Sequence, residues 1–190
     1  HQRGNHLQMY EDIPGKYDAW DIVSNYRQRE VPLDDESQLR VEETGPLRVA
    51  LRLERSFGAS NLIQRISLRQ GDPVLYFETF VHWQERQKLL KVGFPLDVHA
   101  LTATFDVAFG NMQRPTHCNT SYEAARFEVP AHLWVDVSEA DYGVALLNDC
   151  KYGHEVVESV VRLTLLKGSI SPDPTADMED CLLYTSPSPR

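Results

Sequence analysis

The chain has 190 residues, of which 42% are hydrophobic and 25% are charged, a composition that predicts a folded globular protein and excludes wholesale disorder. Acidic residues outnumber basic residues by 28 to 19 and give a formal net charge of -9, so no basic stripe is available for binding nucleic-acid phosphates. The sequence has no apolar run of the roughly 18 residues that a membrane helix needs, and its three cysteines predict a reducing compartment rather than a disulfide framework. Because the first residue is His1 and not Met, we expect a piece of a longer protein.

The hydrophobic pattern predicts β-strands along most of the chain. Residues 34–44 are acidic and polar, which predicts a solvated loop. Residues 47–54 then carry apolar side chains at odd positions and mostly charged ones at even positions, which predicts a strand with one face on a core and one in water. A second alternation over 62–68 ends at the predicted turn 70–73.

Further strands are predicted at 74–83, 88–94, 103–109, 125–129, 132–137, 142–147 and 156–166. The pattern also allows one helical turn at 85–90 but no longer helix. Short strands separated by Gly, Pro, Asn and Asp are typical of a large antiparallel β-sandwich.

The densest polar segment runs from Arg114 through His117 and Cys118 to Asn119, Thr120 and Ser121. One hypothesis is a nucleophilic Cys118. Adjacent His and Cys side chains in an extended strand point to opposite faces, however, and cannot readily form an ion pair. The pattern therefore favours a bent loop whose side chains satisfy its own backbone groups.

Candidate metal ligands are scattered along the chain, at His117, Cys118, His132, Asp136, Cys150 and His154. Structural zinc sites normally use closely spaced pairs of ligands, so the sequence argues against a zinc site built wholly within this chain. The spacing of His132 and Trp134 places both on one strand face, and we expect a buried, hydrogen-bonded pair.

Paired carboxylates are a third possibility, because glycoside hydrolysis usually needs two acids that flank the scissile bond. Sequence spacing does not show which acids lie close together across antiparallel strands. The candidates are Asp18, Asp21, Glu85, Glu123, Asp136, Glu139 and Asp149.

Several segments together resemble one family, the retaining α-mannosidases of glycoside hydrolase family 38, and in particular its cytosolic and bacterial branch. The resemblance covers the chain from about Met9 to about Asp177 in five ordered motifs. The matching segments are Tyr17-Asp18-Ala19-Trp20-Asp21-Ile22, residues 81–85 with 90–95, residues 109–117 with 119–121, residues 125–129 with Ala131, His132 and Trp134, and residues 141–153.

The resemblance implies an all-β fold, an antiparallel β-sandwich of the galactose mutarotase-like supersandwich type, which forms part of a larger enzyme. In this family the catalytic zinc and the nucleophilic Asp belong to an upstream α/β barrel, so we expect no catalytic residue and no metal ligand in this chain. We expect the sandwich to occupy residues 1–178, truncated at both ends. Residues 179–190 match nothing in the family and are predicted to be a disordered, non-native tail.

The resemblance also implies that residues 148–153 lie at the rim of the active site. Asp149, Lys151 and Tyr152 are the candidate rim residues: Asp149 is expected to orient the loop, and Lys151 or Tyr152 to approach the sugar or a catalytic carboxylate. The alternative is a solvated Lys151 and a packed Tyr152 ring. In the lysosomal and Golgi branch of the family a similar loop carries an Asp-Arg pair, whereas this chain has Asp149-Cys150-Lys151. An ammonium group does not replace a bidentate guanidinium without loss. The remaining motif residues are predicted to be structural: Arg114, His117, Asn119, His132 and Trp134.

As a whole, the resemblance implies a cytoplasmic, zinc-dependent enzyme that removes terminal α-linked mannose from oligosaccharides with retention of configuration. Its expected partners are mannose-containing oligosaccharides and its own barrel domain, with no nucleic acid and no membrane, and a homo-oligomer is possible. The rival hypothesis is a non-catalytic β-sandwich module that binds carbohydrate or protein, with Trp20, Trp83, Trp134 or Tyr152 stacking on sugars. If the chain is an enzyme fragment, it should be inactive alone and should expose an apolar patch.

Overall fold

A computed structural model describes residues 4–13, 18–33 and 36–170 of the chain, and their regular secondary structure is almost entirely β-strand. They include one four-residue helix, α1 (Ser121–Ala124), and one 3₁₀ turn, Tyr26–Arg29. The strands are β1 (His6–Glu11), β2 (Glu30–Val31), β3 (Glu36–Thr44), β4 (Arg48–Phe57), β5 (Ser60–Arg69), β6 (Leu75–His82), β7 (Lys88–Pro95), β8 (Thr102–Val107), β9 (Gly110–Pro115), β10 (Val129–Pro130), β11 (Trp134–Ser138), β12 (Gly143–Leu147), β13 (Gly153–Val157) and β14 (Val160–Lys167).

The chain divides into two compact units, and the first comprises residues 4–32 and 87–170 as far as they are described. This unit has a six-stranded sheet in the order β10-β13-β14-β7-β1-β2 and a four-stranded sheet in the order β12-β11-β8-β9. One buried cluster takes Val156 and Val161 from the larger sheet and Phe105 and Val135 from the smaller one. Because the two sheets share this core, the first unit is an antiparallel β-sandwich, and the predicted fold class is confirmed.

The second unit, residues 33–86, holds an antiparallel sheet in the order β3-β4-β5-β6. The prediction of a loop over 34–44 is wrong from Glu36 onward, because β3 pairs along β4. The prediction that the odd positions of 47–54 face a core is also wrong: Val49 is 49% exposed and Leu51 is 38% exposed, whereas Ala50 on the opposite face is buried. Ala50 lies on the face that carries the long Arg and Glu side chains of the sheet, which can cover a small residue.

Two segments that were each predicted as one strand contain the turn of a hairpin. The strand predicted at 103–109 ends at Val107, and Gly110 begins β9 instead of ending a strand. The strand predicted at 156–166 is split between β13 and β14. In both hairpins the turn has a positive φ angle at a residue other than glycine, so the sequence carries no turn signal of the usual kind.

Three other local predictions need correction. The strand predicted at 125–129 is wrong except at Val129: α1 ends at Ala124 with its C-cap at Ala125, and β10 begins only at Val129. The helical turn predicted at 85–90 is wrong, since β7 begins at Lys88 and pairs with β1 and β14. The strand predicted at 132–137 begins at Trp134. The strands predicted at 62–68, 74–83, 88–94 and 142–147 and the turn at 70–73 are confirmed.

Some sequence expectations fall outside the described residues: the start of the first motif at Tyr17, and the whole segment 171–190 with the boundary placed at 178. The division into a sandwich over 1–178 and a non-native tail over 179–190 therefore stays a prediction. Among the described residues, no helix has the length and apolar character needed to span a membrane.

Candidate functional site

The loop between β12 and β13 contains the predicted rim residues, and Asn148 fixes its shape. The Asn148 Oδ1 atom accepts hydrogen bonds from the backbone N–H of Cys150 at 3.2 Å and of Lys151 at 2.6 Å. Its Nδ2 atom donates to the carbonyl oxygen of His132 at 3.1 Å, and its backbone N–H donates to the carbonyl of Leu133 at 2.8 Å. One amide side chain therefore holds the loop to the segment that precedes β11.

His154 contacts the same loop from the protein interior. Its side chain is fully buried, with Nδ1 3.1 Å from the carbonyl oxygen of Tyr152 and Nε2 3.3 Å from Asn148 Nδ2. Burial lowers the pKa of His154 to about 4. The ring is neutral at pH 7, and this network assigns the proton to Nδ1, which donates to Tyr152, while Nε2 accepts from Asn148.

Gly153 makes this arrangement possible. A Cβ atom at this position would overlap the Glu128 carboxylate and would lie 3.0 Å from Cβ of Thr164. Any residue larger than glycine would have to displace the Glu128 carboxylate, which pairs with the buried Lys91, and would crowd the Thr164 side chain. The motif therefore needs glycine directly before the buried His154.

The outer side of the loop carries the candidate rim residues. Tyr152 is 40% exposed, and its ring meets the His132 ring edge-on with centroids 5.8 Å apart. Burial lowers the pKa of the half-buried Lys151 ammonium, and the neighbouring Cys150 and Asp149 act in the opposite direction. The loop thus brings one cation, one carboxylate and one aromatic edge to the same end of the smaller sheet.

The expectation of a buried His132–Trp134 pair is wrong. His132 precedes the strand and is exposed, and Trp134 is only partly buried. In the register of β11 and β12, Trp134 lies opposite Leu147, the residue directly before Asn148. The structure therefore places His132 and Trp134 beside the loop that begins at Asn148 rather than in a core.

Arg114, His117 and Asn119 belong to a second segment, in which the bent-loop interpretation is confirmed. Glu123 Oε2 accepts the backbone N–H of Asn119 at 2.7 Å and of Thr120 at 2.9 Å, while Thr120 Oγ1 accepts the N–H of Glu123. His117 Nδ1 lies 3.7 Å from the same Glu123 oxygen. These contacts hold the fold of the loop and provide no partner that would activate Cys118.

Arg114 connects this segment to the sandwich core. Its guanidinium lies 4.7 Å from the centroid of the Phe105 ring and donates to the carbonyl of Pro130 at 3.2 Å. Burial and the nearby Arg126 lower the pKa of Arg114, although a guanidinium remains charged at any physiological pH. Arg114 therefore contacts both the Phe105 ring and the Pro130 backbone, and its structural role stays a prediction.

A buried charge cluster is the feature that sequence reasoning missed. Lys91 is fully buried and forms ion pairs with Glu128 and with Glu155, the latter at 3.2 Å. Glu155 also accepts from Tyr26 and pairs with Arg27 at 2.6 Å. Burial opposes charge on Lys91, but the nearby carboxylates, Glu128 before Glu155, outweigh it and raise the pKa of Lys91. Burial also opposes charge on Glu155, but the attraction of Lys91 and the hydrogen bond from Tyr26 outweigh it and lower the pKa of Glu155. The sequence signal was a lysine within the apolar run of residues 89–92.

Most of the acidic residues that were candidates for a catalytic pair make hydrogen bonds that stabilise the fold. Asp18 accepts the N–H of Ile170, and Glu85 accepts the N–H of Ala59. Glu123 caps α1, and Asp136 accepts from Ser138. Within 4–13, 18–33 and 36–170, no three His, Cys, Asp or Glu side chains come together in a group that could hold a metal ion. These residues therefore do not fit a zinc site, and no chemical step can be assigned to zinc within them.

Known proteins resemble the chain over most of its length. It is 45% identical over 176 residues to "Alpha-mannosidase 2C1" of Homo sapiens, covering 92% of this chain and 17% of the relative. It is 40% identical over 181 residues to "Alpha-mannosidase G" of Dictyostelium discoideum, covering 92% of this chain and 16% of the relative. The chain thus spans about a sixth of the length of these relatives.

The fold is also that of a solved structure. The crystal structure of an α-mannosidase from Enterococcus faecalis V583 superposes with a TM-score of 0.73 at 14% identity, over 86% of this chain and 22% of that one. The family profile "Glycosyl hydrolases family 38 C-terminal domain" matches residues 1–175. By its sequence over nearly its full length, and with a fold that agrees, this chain belongs to glycosyl hydrolase family 38.

Proposed function

We propose that this chain is the C-terminal β-sandwich portion of a retaining α-mannosidase that removes terminal α-linked mannose from oligosaccharides. The observation that carries the proposal is the 45% identity over 92% of the chain to an α-mannosidase of which it spans only 17%. The nucleophilic Asp and the zinc ligands would lie in the part of the longer polypeptide outside this chain, in an upstream α/β barrel. The enzyme would act in the cytoplasm.

In this proposal the loop from Asn148 to Gly153 forms part of the active-site rim. The hydrogen bonds of Asn148 fix the backbone of residues 150 and 151, so Lys151 projects from a defined position. An ammonium group donates to a sugar hydroxyl or pairs with a carboxylate as a point charge, without the two parallel bonds of an arginine. Asp149 and Tyr152 flank it, and an aromatic face or edge suits contact with the apolar side of a sugar ring.

The chain alone should therefore show no α-mannosidase turnover, because it lacks the groups that attack and protonate the glycosidic bond. The longer polypeptide should hydrolyse an aryl α-mannoside with retention of configuration, which proton NMR of the first-formed sugar anomer detects. Zinc-dependent turnover by the purified 190-residue chain would contradict this division of labour.

The rim role of Lys151 has its own test in the longer polypeptide. Lys151→Met should lower kcat/KM by about 10-fold to 100-fold, the effect of losing a hydrogen bond to a charged group, and should leave Tm unchanged. Lys88→Met is a matched control, since Lys88 pairs with Glu11 at 3.4 Å on a different strand pair. Equal activity of both variants and the parent would show that Lys151 is not part of the active site.

The second candidate function is a β-sandwich module that binds carbohydrate or protein and does no chemistry. Two exposed aromatic residues favour it, Tyr152 at 40% and Trp20 at 47% exposure, whereas Trp83 is buried at 5% exposure and cannot stack on a sugar. Isothermal titration of the 190-residue chain with a mannose oligosaccharide separates the candidates. Submillimolar binding by the chain alone supports the module, and its absence supports an active site that needs the rest of the enzyme.

A further inference from the structure

The turn between β8 and β9 lies at the same end of the sandwich as the rim loop. Neighbouring strands in this sheet are antiparallel, so β8 ends where β11 begins and where β12 ends. Asp106 of β8 joins the two regions: its carbonyl accepts the N–H of His132 at 3.0 Å, and its Oδ2 accepts the N–H of Leu133 at 2.8 Å. The turn residues Ala108 and Phe109 are therefore neighbours of the segment to which Asn148 holds the rim loop.

Both the backbone conformation and the side-chain exposure of Phe109 are unfavourable. Its backbone has φ +63°, in the left-handed region that a bulky residue rarely adopts. Its side chain is fully exposed, at 110% of the reference value. The β4–β5 turn has Gly58 at its position of φ +55°, which is the usual solution. A turn chosen only for stability would have Gly or Asn in place of Phe109.

Other large apolar residues are exposed at the same end of the sheet. Leu133 is 57% exposed and Leu147 is 66% exposed, one on each side of the backbone hydrogen bond from Asn148 to Leu133. Leaving a strained backbone and three apolar side chains in water is unfavourable unless another surface covers them. The chain spans only 17% of its human relative, so ample polypeptide is available for this purpose.

We propose that Phe109 is an interface residue that inserts into an apolar pocket on the part of the longer polypeptide outside this chain, next to the rim. This inference depends on the proposed function, because it requires the longer polypeptide. Burial of the ring would compensate for the strained turn and would fix the position of the rim loop through Asp106.

The test compares Phe109→Asn with Glu158→Asn, in this chain and in the longer polypeptide. Glu158 is a matched control: it is exposed, it has φ +53°, and it lies in the two-residue turn between β13 and β14. Asparagine tolerates this backbone conformation, so both substitutions should raise Tm of the 190-residue chain by about 2–4 °C.

In the longer polypeptide, Glu158→Asn should still raise Tm, whereas Phe109→Asn should lower it, because the buried ring is lost. An equal rise for both variants would overturn the inference. A raised KM for an oligosaccharide together with a retained rise in Tm would also overturn it, in favour of a substrate contact by Phe109. The Tm comparison requires no turnover, so a longer polypeptide without α-mannosidase activity would refute the proposed function and still decide the role of Phe109.

Discussion

At the scale of single residues, His154 shows how burial decides the use of a chemically versatile side chain. In the sequence it was one of several scattered candidate metal ligands. In the structure both ring nitrogens are engaged, by the Tyr152 carbonyl and by the Asn148 amide. A ligand histidine needs one nitrogen free for the metal, so His154 serves the loop and not a metal ion.

This burial predicts a pH dependence of stability. The folded pKa of about 4 lies below the ordinary value of 6.5, so the unfolded chain binds more protons and stability falls as pH drops from 6.5 towards 4. Between pH 7 and pH 5 the loss should be about 2 kcal/mol in the free energy of unfolding by urea. The lowered pKa of Glu155 acts in the same direction but only below about pH 4.5, its ordinary value.

His154→Gln should remove most of this difference between pH 7 and pH 5, because glutamine does not titrate. The control is His99→Gln, since the His99 side chain is 81% exposed and its replacement should leave the pH dependence of the parent intact. The explanation fails if the parent chain is equally stable at both pH values.

At the scale of elements, the side chain of one asparagine shapes the loop of residues 148–153 and joins it to the segment at His132. Asn148→Ala removes the acceptor for the N–H groups of Cys150 and Lys151 and the donor to His132. We expect a loss of about 1–3 kcal/mol in the free energy of unfolding. Amide hydrogen exchange of Cys150 and Lys151 should accelerate, because their protection comes from the Asn148 side chain.

Asn111→Ala is the control for this change, because Asn111 is an exposed residue of β9 in the same sheet. It should leave both stability and exchange at residues 150 and 151 close to those of the parent. Unchanged exchange in the Asn148 variant would show that the loop is held by other contacts.

Some strands and loops could be predicted from the sequence, and others could not. The period of two in residues 62–68 was sufficient to place β5, whereas the rim role of residues 148–153 stays a prediction. The division of 156–166 into two strands was not predictable, because Glu158 takes a positive φ angle that its residue type disfavours. The role of Asn148 depends on the register of β11 and β12, and the ion pairs of Lys91 join segments far apart in sequence. Local patterns do not contain that information.

At the scale of the whole molecule, the sheet of the second unit has two faces of opposite character. One face is a ladder of ion pairs, such as Arg52 with Glu54 at 2.6 Å and Arg65 with Glu42 at 2.7 Å. The other face aligns large apolar residues across strands, with Leu51 between Val41 and Ile66. The exposed members of this face are Leu39, Val41, Val49, Leu51, Leu68 and Leu75. Soluble monomers rarely leave such a continuous apolar surface in water.

This apolar face predicts self-association of the 190-residue chain. Light scattering and sedimentation should give a mass that rises with concentration, because a second copy can cover the face when nothing else does. Changing Val41, Val49 and Leu51 together to Thr should reduce the association while the chain stays folded, since all three side chains are at least 38% exposed and Thr favours strands. Leu101→Thr alters a residue that is 78% exposed outside this sheet, and it should associate like the parent. A parent chain that stays monomeric at every concentration would show that the apolar face is stable in water without a partner. If the triple variant associates as strongly as the parent, the contact between copies lies on another surface.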